Sequence, residues 1–134
     1  MNLLVIDGQG AGLGRQLVAA LRAAMPEAEI MAVGTNSVAT GAMLKAGAHH
    51  AATGENAIAV ASRRADVIFG PIGIVIADAL MGEISPAMAA AVGQSAAKRV
   101  LIPVNHCDNI IVGAAELPVG ALVQQAVEKV KSVC

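Results

Sequence analysis

The stretch Leu3-Leu4-Val5-Ile6-Asp7-Gly8-Gln9-Gly10-Ala11-Gly12-Leu13-Gly14-Arg15 decides the fold. Four apolar residues in a row read as a strand buried on both faces, which is the habit of a parallel sheet. The glycines that follow let the backbone turn sharply. From Gly14 to Met25, Leu17, Leu21 and Ala24 recur on one face of a helix that Pro26 closes. Strand, glycine loop and helix in that order form the context of a phosphate site. The free N–H groups and positive dipole end of the helix favour an anion there.

Outward from that unit, short apolar runs alternate with amphipathic segments. Strands are expected at Leu3 to Ile6, Ile30 to Val33, His49 to Ala52, Asp66 to Phe69 and Arg99 to Val104, with a sixth at Ile110 to Val112. Helices are expected from Ser37 to Ala46, closed by Gly47, and from a Thr53 cap to about Ala65, burying Ile58, Ala61 and Ala65. Others are expected over Ile74 to Leu80, after Ser85-Pro86, and from Pro118 to Val133. The alternation predicts an α/β, Rossmann-like three-layer sandwich with a mostly parallel sheet of five or six strands. At 134 residues, one domain over 1–134 is expected.

The loop spacing fails the strict G-x-G-x-x-G fingerprint, because position 13 is leucine. It fits G-x-x-x-G-x-G through Gly8, Gly12 and Gly14. That version resembles the cofactor half of short-chain dehydrogenases/reductases, whose first loop is usually followed by a residue like Arg15. Asp66 to Ile74 resembles the same family's fourth strand and the loop after it, and Glu83-Ile84-Ser85-Pro86 sits where that family often starts a helix. The resemblance covers roughly the first hundred residues and implies NAD or NADP binding. The family's Tyr-x-x-x-Lys is absent, since the chain has no tyrosine, and only Asn105 lies near the place of its serine. Hydride transfer by that mechanism is excluded. Over nearly its whole length the chain more closely resembles a short family known only as a domain of unknown function, through Val-Ile-Asp-Gly-Gln-Gly, Gly-Thr-Asn, Thr-Gly-Glu-Asn and Gly-Pro-Ile-Gly-Ile. That resemblance implies no activity.

The residues placed at a cofactor are Gly8, Gln9, Gly10, Gly12, Leu13, Gly14 and Arg15 of the first loop, Thr35 and Asn36 after the second strand, and Gly73 after the fourth. Dinucleotide folds select the adenosine ribose just after the second strand. No acidic residue stands there, and Lys45 is the nearest base in sequence for a 2′-phosphate. A helix cap by Asn36 or Ser37 is the alternative use of that turn. Gly73 enters because loops after strands one and four meet at the switch point of a doubly wound sheet. Asp7 complicates the loop: a carboxylate beside Gly8 repels a pyrophosphate unless it bonds to loop N–H groups or recruits a cation. Thr53 to Asn56 is a further polar turn. Asn105 to Asp108 holds a base and a thiol, but His106 and Cys107 diverge on an extended chain, as do His49 and His50.

Composition narrows the partners. The chain is 56% hydrophobic and 14% charged, so a small body exposes much apolar surface and a homo-oligomer is expected. Phe69 is the only aromatic, the net charge is -1, and nucleic acid finds neither stacking platform nor basic face. No apolar run is long enough to span a membrane, and two isolated cysteines without a signal-peptide pattern suggest the cytoplasm. The leading expectation is a protein that binds a small nucleotide-like ligand, with its reaction and catalytic residues unknown. The alternatives are an oligomeric regulatory or scaffold domain with a structural glycine loop, and a metal-assisted phosphate-handling enzyme using Asp7, with His106 as a further candidate.

Overall fold

A computed structural model describes residues 1–104 and 108–133. Five strands, β1 (Asn2–Asp7), β2 (Glu29–Gly34), β3 (His50–Thr53), β4 (Val67–Pro71) and β5 (Lys98–Ile102), form one sheet in the order β3-β2-β1-β4-β5. Every pairing is parallel. The helices are α1 (Gly12–Ala24), α2 (Ser37–Lys45), α3 (Glu55–Arg64), α4 (Pro86–Gly93) and α5 (Val119–Val133). Helices α1, α2 and α5 cover one face and α3 and α4 the other, giving the three-layer α/β sandwich.

Central β1 is apolar from Leu3 to Ile6 because both its faces are covered there. Leu3 and Val5 enter the core beneath α1 and α5, with Leu17, Leu21, Phe69, Val123 and Val127. Leu4 and Ile6 enter the opposite core with Ile58, Ile68, Ile74 and Val92. The α1 stripe is buried at Leu17 and Leu21, and the α5 stripe at Leu122, Val123, Ala126, Val127 and Val130. Gly47 ends the α2 region with a φ of 122°. The chain moves outward from β1 to β3 and then crosses back to β4 on the other side of β1. The order therefore reverses between β1 and β4, and their carboxyl ends make the crevice where such sheets bind ligands.

Three local expectations are corrected. Ile110 to Val112 is not a strand, because the sheet closes at β5 and these residues pair with no strand among those described. The apolar pattern from Ile74 to Leu80 does not make an α-helix. A 3-10 turn spans Ile72–Val75, and the chain then enters a turn in which Asp78, Leu80 and Met81 take positive φ, which no helix accommodates. Thr53 does not cap α3. Gly54 stands at the cap without a side-chain bond, and the Thr53 hydroxyl pairs with that of Thr40 at 2.7 Å.

Candidate functional site

Asp7 closes β1 and is buried under its own glycine loop. Its Oδ1 accepts the Gly8 N–H at 2.8 Å and its Oδ2 accepts the Gly14 N–H at 2.7 Å. Burial pushes the Asp7 carboxyl above its ordinary range. The two N–H groups oppose the shift, and the Glu83 charge adds to it. Both oxygens thus serve the loop itself. Among the described residues no group of three or more His, Cys, Asp or Glu side chains that could hold a metal ion is found.

The glycines divide into two kinds. A Cβ on Gly14 would stand 2.7 Å from Met43 Sδ and 2.8 Å from Asp7 Cβ, and one on Gly8 would stand 2.6 Å from Thr35 Oγ1 and 2.9 Å from Glu83 Oε1. These two are small because protein packs against them. Around Gly10 and Gly12 a Cβ would meet nothing within 4 Å. Those two leave the loop open to a cleft.

That cleft has a volume of about 480 Å³ and is lined by Asp7 to Leu13, Gln16, Pro71, Leu80, Val104 and Val119, at the carboxyl ends of β1 and β4. Within the loop, the Ala11 N–H bonds to Gly8 O at 2.9 Å and the Gln9 N–H to Glu83 Oε1 at 2.8 Å. The N–H groups of Gly10, Gly12 and Leu13 have no acceptor among the described residues. Gln9 and Ala11 hold φ values of 50° and 55°, a conformation that non-glycine residues adopt at a cost of about 1–3 kcal/mol each and keep only where the surroundings enforce it. Three unpaired donors thus stand at the amino end of a thirteen-residue helix, where the helix dipole is positive.

Glu83 enforces the loop. From the turn after β4 its Oε1 accepts the Gln9 N–H, the Thr35 hydroxyl and, at 3.0 Å, the Asn36 side-chain amide. Asn36 Nδ2 also donates to Gln9 O at 3.0 Å, while its Oδ1 caps α2 by accepting the Ala39 N–H at 2.8 Å. The Gln9 N–H and then the Thr35 hydroxyl hold the Glu83 carboxyl below its ordinary range; burial opposes them, and the Asn36 amide adds a smaller lowering. Local sequence patterns do not give the role of Glu83, whose partners lie 47 to 74 residues away. Its one signal is the acidic residue next to the Ser85-Pro86 helix start.

Of the residues expected at a ligand, Gly8, Gln9, Gly10, Gly12 and Leu13 line the cleft. Gly14 lies behind Asp7, and Arg15 is exposed outside the lining, where Gln16 takes its place. Thr35 and Asn36 do not line the cleft; they bond to Glu83 beside it. Gly73 packs against Ala79 and Leu80 and does not line the cleft. Lys45 ends α2 and Asn36 begins it, so nine residues of helix, about 13 Å at 1.5 Å per residue, separate that base from the Thr35 turn. His49 and His50 part as expected: the Ile30 N–H donates to His49, and His50 pairs with Glu29. Asn105, His106 and Cys107 lie outside the described residues.

A larger groove of about 770 Å³ runs beside α3, between Met31, His50, Asn56 and Val60. It sits largely over the amino-terminal halves of the strands, away from the switch point where doubly wound sheets hold ligands. No described helix is long and apolar enough to cross a membrane.

The model of a family described as Domain of unknown function (DUF3842) matches residues 2–134, and the chain belongs to that family. No curated protein matches it. Among solved structures, a dodecameric FMN-dependent Ubix-like decarboxylase from Escherichia coli O157:H7 is similar with a TM-score of 0.50 and 22% identity, over 98% of this chain and 76% of that one. At that identity the likeness establishes the α/β fold, and what that protein binds is a property of that protein. The likeness to short-chain dehydrogenases/reductases remains one of loop spacing.

Proposed function

We propose that the cleft at the carboxyl ends of β1 and β4 binds the phosphate end of a mononucleotide-type ligand, with flavin mononucleotide the first to test. The observation that carries this reading is the set of three unpaired N–H groups, on Gly10, Gly12 and Leu13, at the start of α1. They suit a single terminal phosphate. Leu80, Val104, Val119 and Pro71 supply an apolar wall for the flat face of a base or flavin ring. Asp7 does not stand against the phosphate, because its oxygens are turned to Gly8 and Gly14 and burial favours its protonated form. Flavin mononucleotide takes precedence because the similar solved structure is named for it. NAD and NADP come second, since the polar groups of Thr35 and Asn36 that would meet an adenosine ribose are engaged by Glu83 and Gln9.

Calorimetric titration with flavin mononucleotide, AMP, NAD and NADP tests the reading. Binding of a mononucleotide by the wild type, abolished in Gly12→Asp, supports it. The aspartate sits in the first turn of α1, where it complements the helix dipole while competing for the free N–H groups. No binding by any of the four, or equal binding by Gly12→Asp, overturns it.

Self-association belongs to the same reading. Ile110, Val112 and Met81 are 89%, 94% and 93% exposed, apolar side chains that an interface between copies would cover. Sedimentation velocity that finds only monomer at micromolar concentration would remove this part.

A further inference from the structure

Glu83 does more than brace a loop. Its carboxylate lies between the turn after β1 and the turn after β2, on the N–H of Gln9, the hydroxyl of Thr35 and the amide of Asn36. In a dinucleotide-binding fold the end of β2 is where the adenosine ribose is held, by an acidic residue that belongs to that strand's own turn. Here the acid arrives from the far side of the switch point, and its Oε1 is taken by three protein donors.

Two further observations show how completely that place is built for Glu83. Gly8, in the position of the first glycine of the loop, lacks a side chain where a Cβ would meet Thr35 Oγ1 at 2.6 Å and Glu83 Oε1 at 2.9 Å, so this glycine makes room for the carboxylate. The turn that delivers Glu83 holds Asp78, Leu80 and Met81 at φ values of 66°, 56° and 57°, with Gly82 at 88°. A backbone of that kind persists only where its contacts fix it, and such strain concentrates at ligand sites. The same turn puts Leu80 into the cleft wall.

We propose that Glu83 sets the ligand class of this cleft: it fills the adenosine-ribose place of a dinucleotide and sets a negative charge on the β2 side, restricting the cleft to ligands with one terminal phosphate. This rests on the reading of the cleft as a phosphate site. With the Gln9 N–H taken by Glu83, the loop offers its remaining donors at Gly10, Gly12 and Leu13 to one phosphate group. A second phosphate toward β2 meets the carboxylate, and a ribose there finds the hydroxyl proton of Thr35 and the side-chain amide protons of Asn36 already donated to Glu83 and Gln9. Glu83 is thus a positioning and specificity residue, acting through the Gln9 backbone and through exclusion.

The test is a matrix of affinities measured by calorimetry for wild type, Glu83→Gln and Glu83→Ala against AMP, flavin mononucleotide, ADP and NAD, with folding checked by circular dichroism. The wild type is expected to prefer AMP over ADP, and flavin mononucleotide over NAD, by about tenfold or more. Glu83→Gln keeps the bulk and an acceptor but loses the charge, so the AMP-to-ADP preference shrinks several-fold while NAD stays excluded. Glu83→Ala also opens the ribose place, so NAD gains on flavin mononucleotide by about tenfold. Amide exchange at Gln9 rises in Glu83→Ala, a readout that needs no ligand. Unchanged preferences in folded variants overturn the assignment of Glu83 and leave the phosphate site standing. Failure of the wild type to bind AMP or flavin mononucleotide overturns the phosphate reading, and the specificity role with it. Should Glu83→Ala not fold, the AMP-to-ADP ratio in Glu83→Gln decides alone.

Discussion

Replacing Gly14 by alanine separates the packing role of the glycine loop from its ligand role. In an ordinary helix the change is stabilising by about 1 kcal/mol, because alanine restricts the unfolded chain and propagates helix better. At this position the new Cβ stands 2.7 Å from Met43 Sδ, 2.8 Å from Asp7 Cβ and 3.0 Å from Asp7 Oδ2. The methionine can turn away. Asp7 cannot, because retreat breaks the 2.7 Å bond from the Gly14 N–H to a buried carboxyl group. Overpacking of this kind costs about 1–3 kcal/mol and the lost bond about 1.5–3 kcal/mol, leaving a net destabilisation of about 2–5 kcal/mol after the helix gain. For a chain of this size that is a melting temperature lower by roughly 6–15 °C. Gly10→Ala is the control: nothing lies within 4 Å of its Cβ, and stability should stay within about 1 kcal/mol of wild type. The chain has no tryptophan or tyrosine, so far-UV circular dichroism in urea is the suitable assay. A Gly14→Ala variant as stable as Gly10→Ala would refute the packing argument.

Four further outcomes follow from the same contacts. Asn36→Ala removes the α2 cap and both bonds to the glycine-loop side, and should cost about 1–2 kcal/mol in urea unfolding, with faster amide exchange at Ala39. Gly12→Asp should be at least as stable as wild type in thermal melts while losing mononucleotide binding, because an acid in the first turn of α1 complements the dipole. The two carboxyl groups pull stability in opposite directions with pH. The Asp7 value is raised on folding, so its contribution is full below about pH 4 and fades as pH rises through the folded value, whereas that of Glu83 is lowered and its contribution is lost as pH falls below about 4.3. Unfolding curves for Glu83→Gln should therefore lack part of the acid-side loss that wild type shows. Finally, Ile110→Ser with Val112→Ser should leave the melting temperature within about 2 °C, both side chains being exposed, yet weaken self-association in sedimentation.

The fold was legible because its central strands are buried on both faces and therefore read as unbroken apolar runs. Leu3 to Ile6, Ile30 to Val33 and Val67 to Phe69 announce a covered parallel sheet without tertiary knowledge. Ile110 to Val112 carries the same β-branched signal, but a strand also needs a neighbour, and the sheet has ended at β5. Ile74 to Leu80 misleads for a related reason: its apolar residues are core, yet they reach it from a 3-10 turn and a strained loop rather than from one helical face. At the site, the glycine loop and its place in the crevice could be read locally. What could not be read is which glycine does what. Gly8 and Gly14 are fixed by side chains from β2's turn, α2 and Glu83, whereas Gly10 and Gly12 face open space, and spacing alone treats the four alike. Glu83 is the extreme case, since all its value comes from residues distant in sequence.

The three free N–H groups at the start of α1 carry the phosphate reading, and amide chemical shifts observe them directly. In a 15N-labelled sample titrated with flavin mononucleotide, the largest shifts are expected on Gly10, Gly12 and Leu13, with smaller ones on Gly8 and Gly14, already bonded to Asp7, and inorganic phosphate at higher concentration should move the same three. Shifts that are absent, or that gather instead along the groove between β3 and α3, would contradict it.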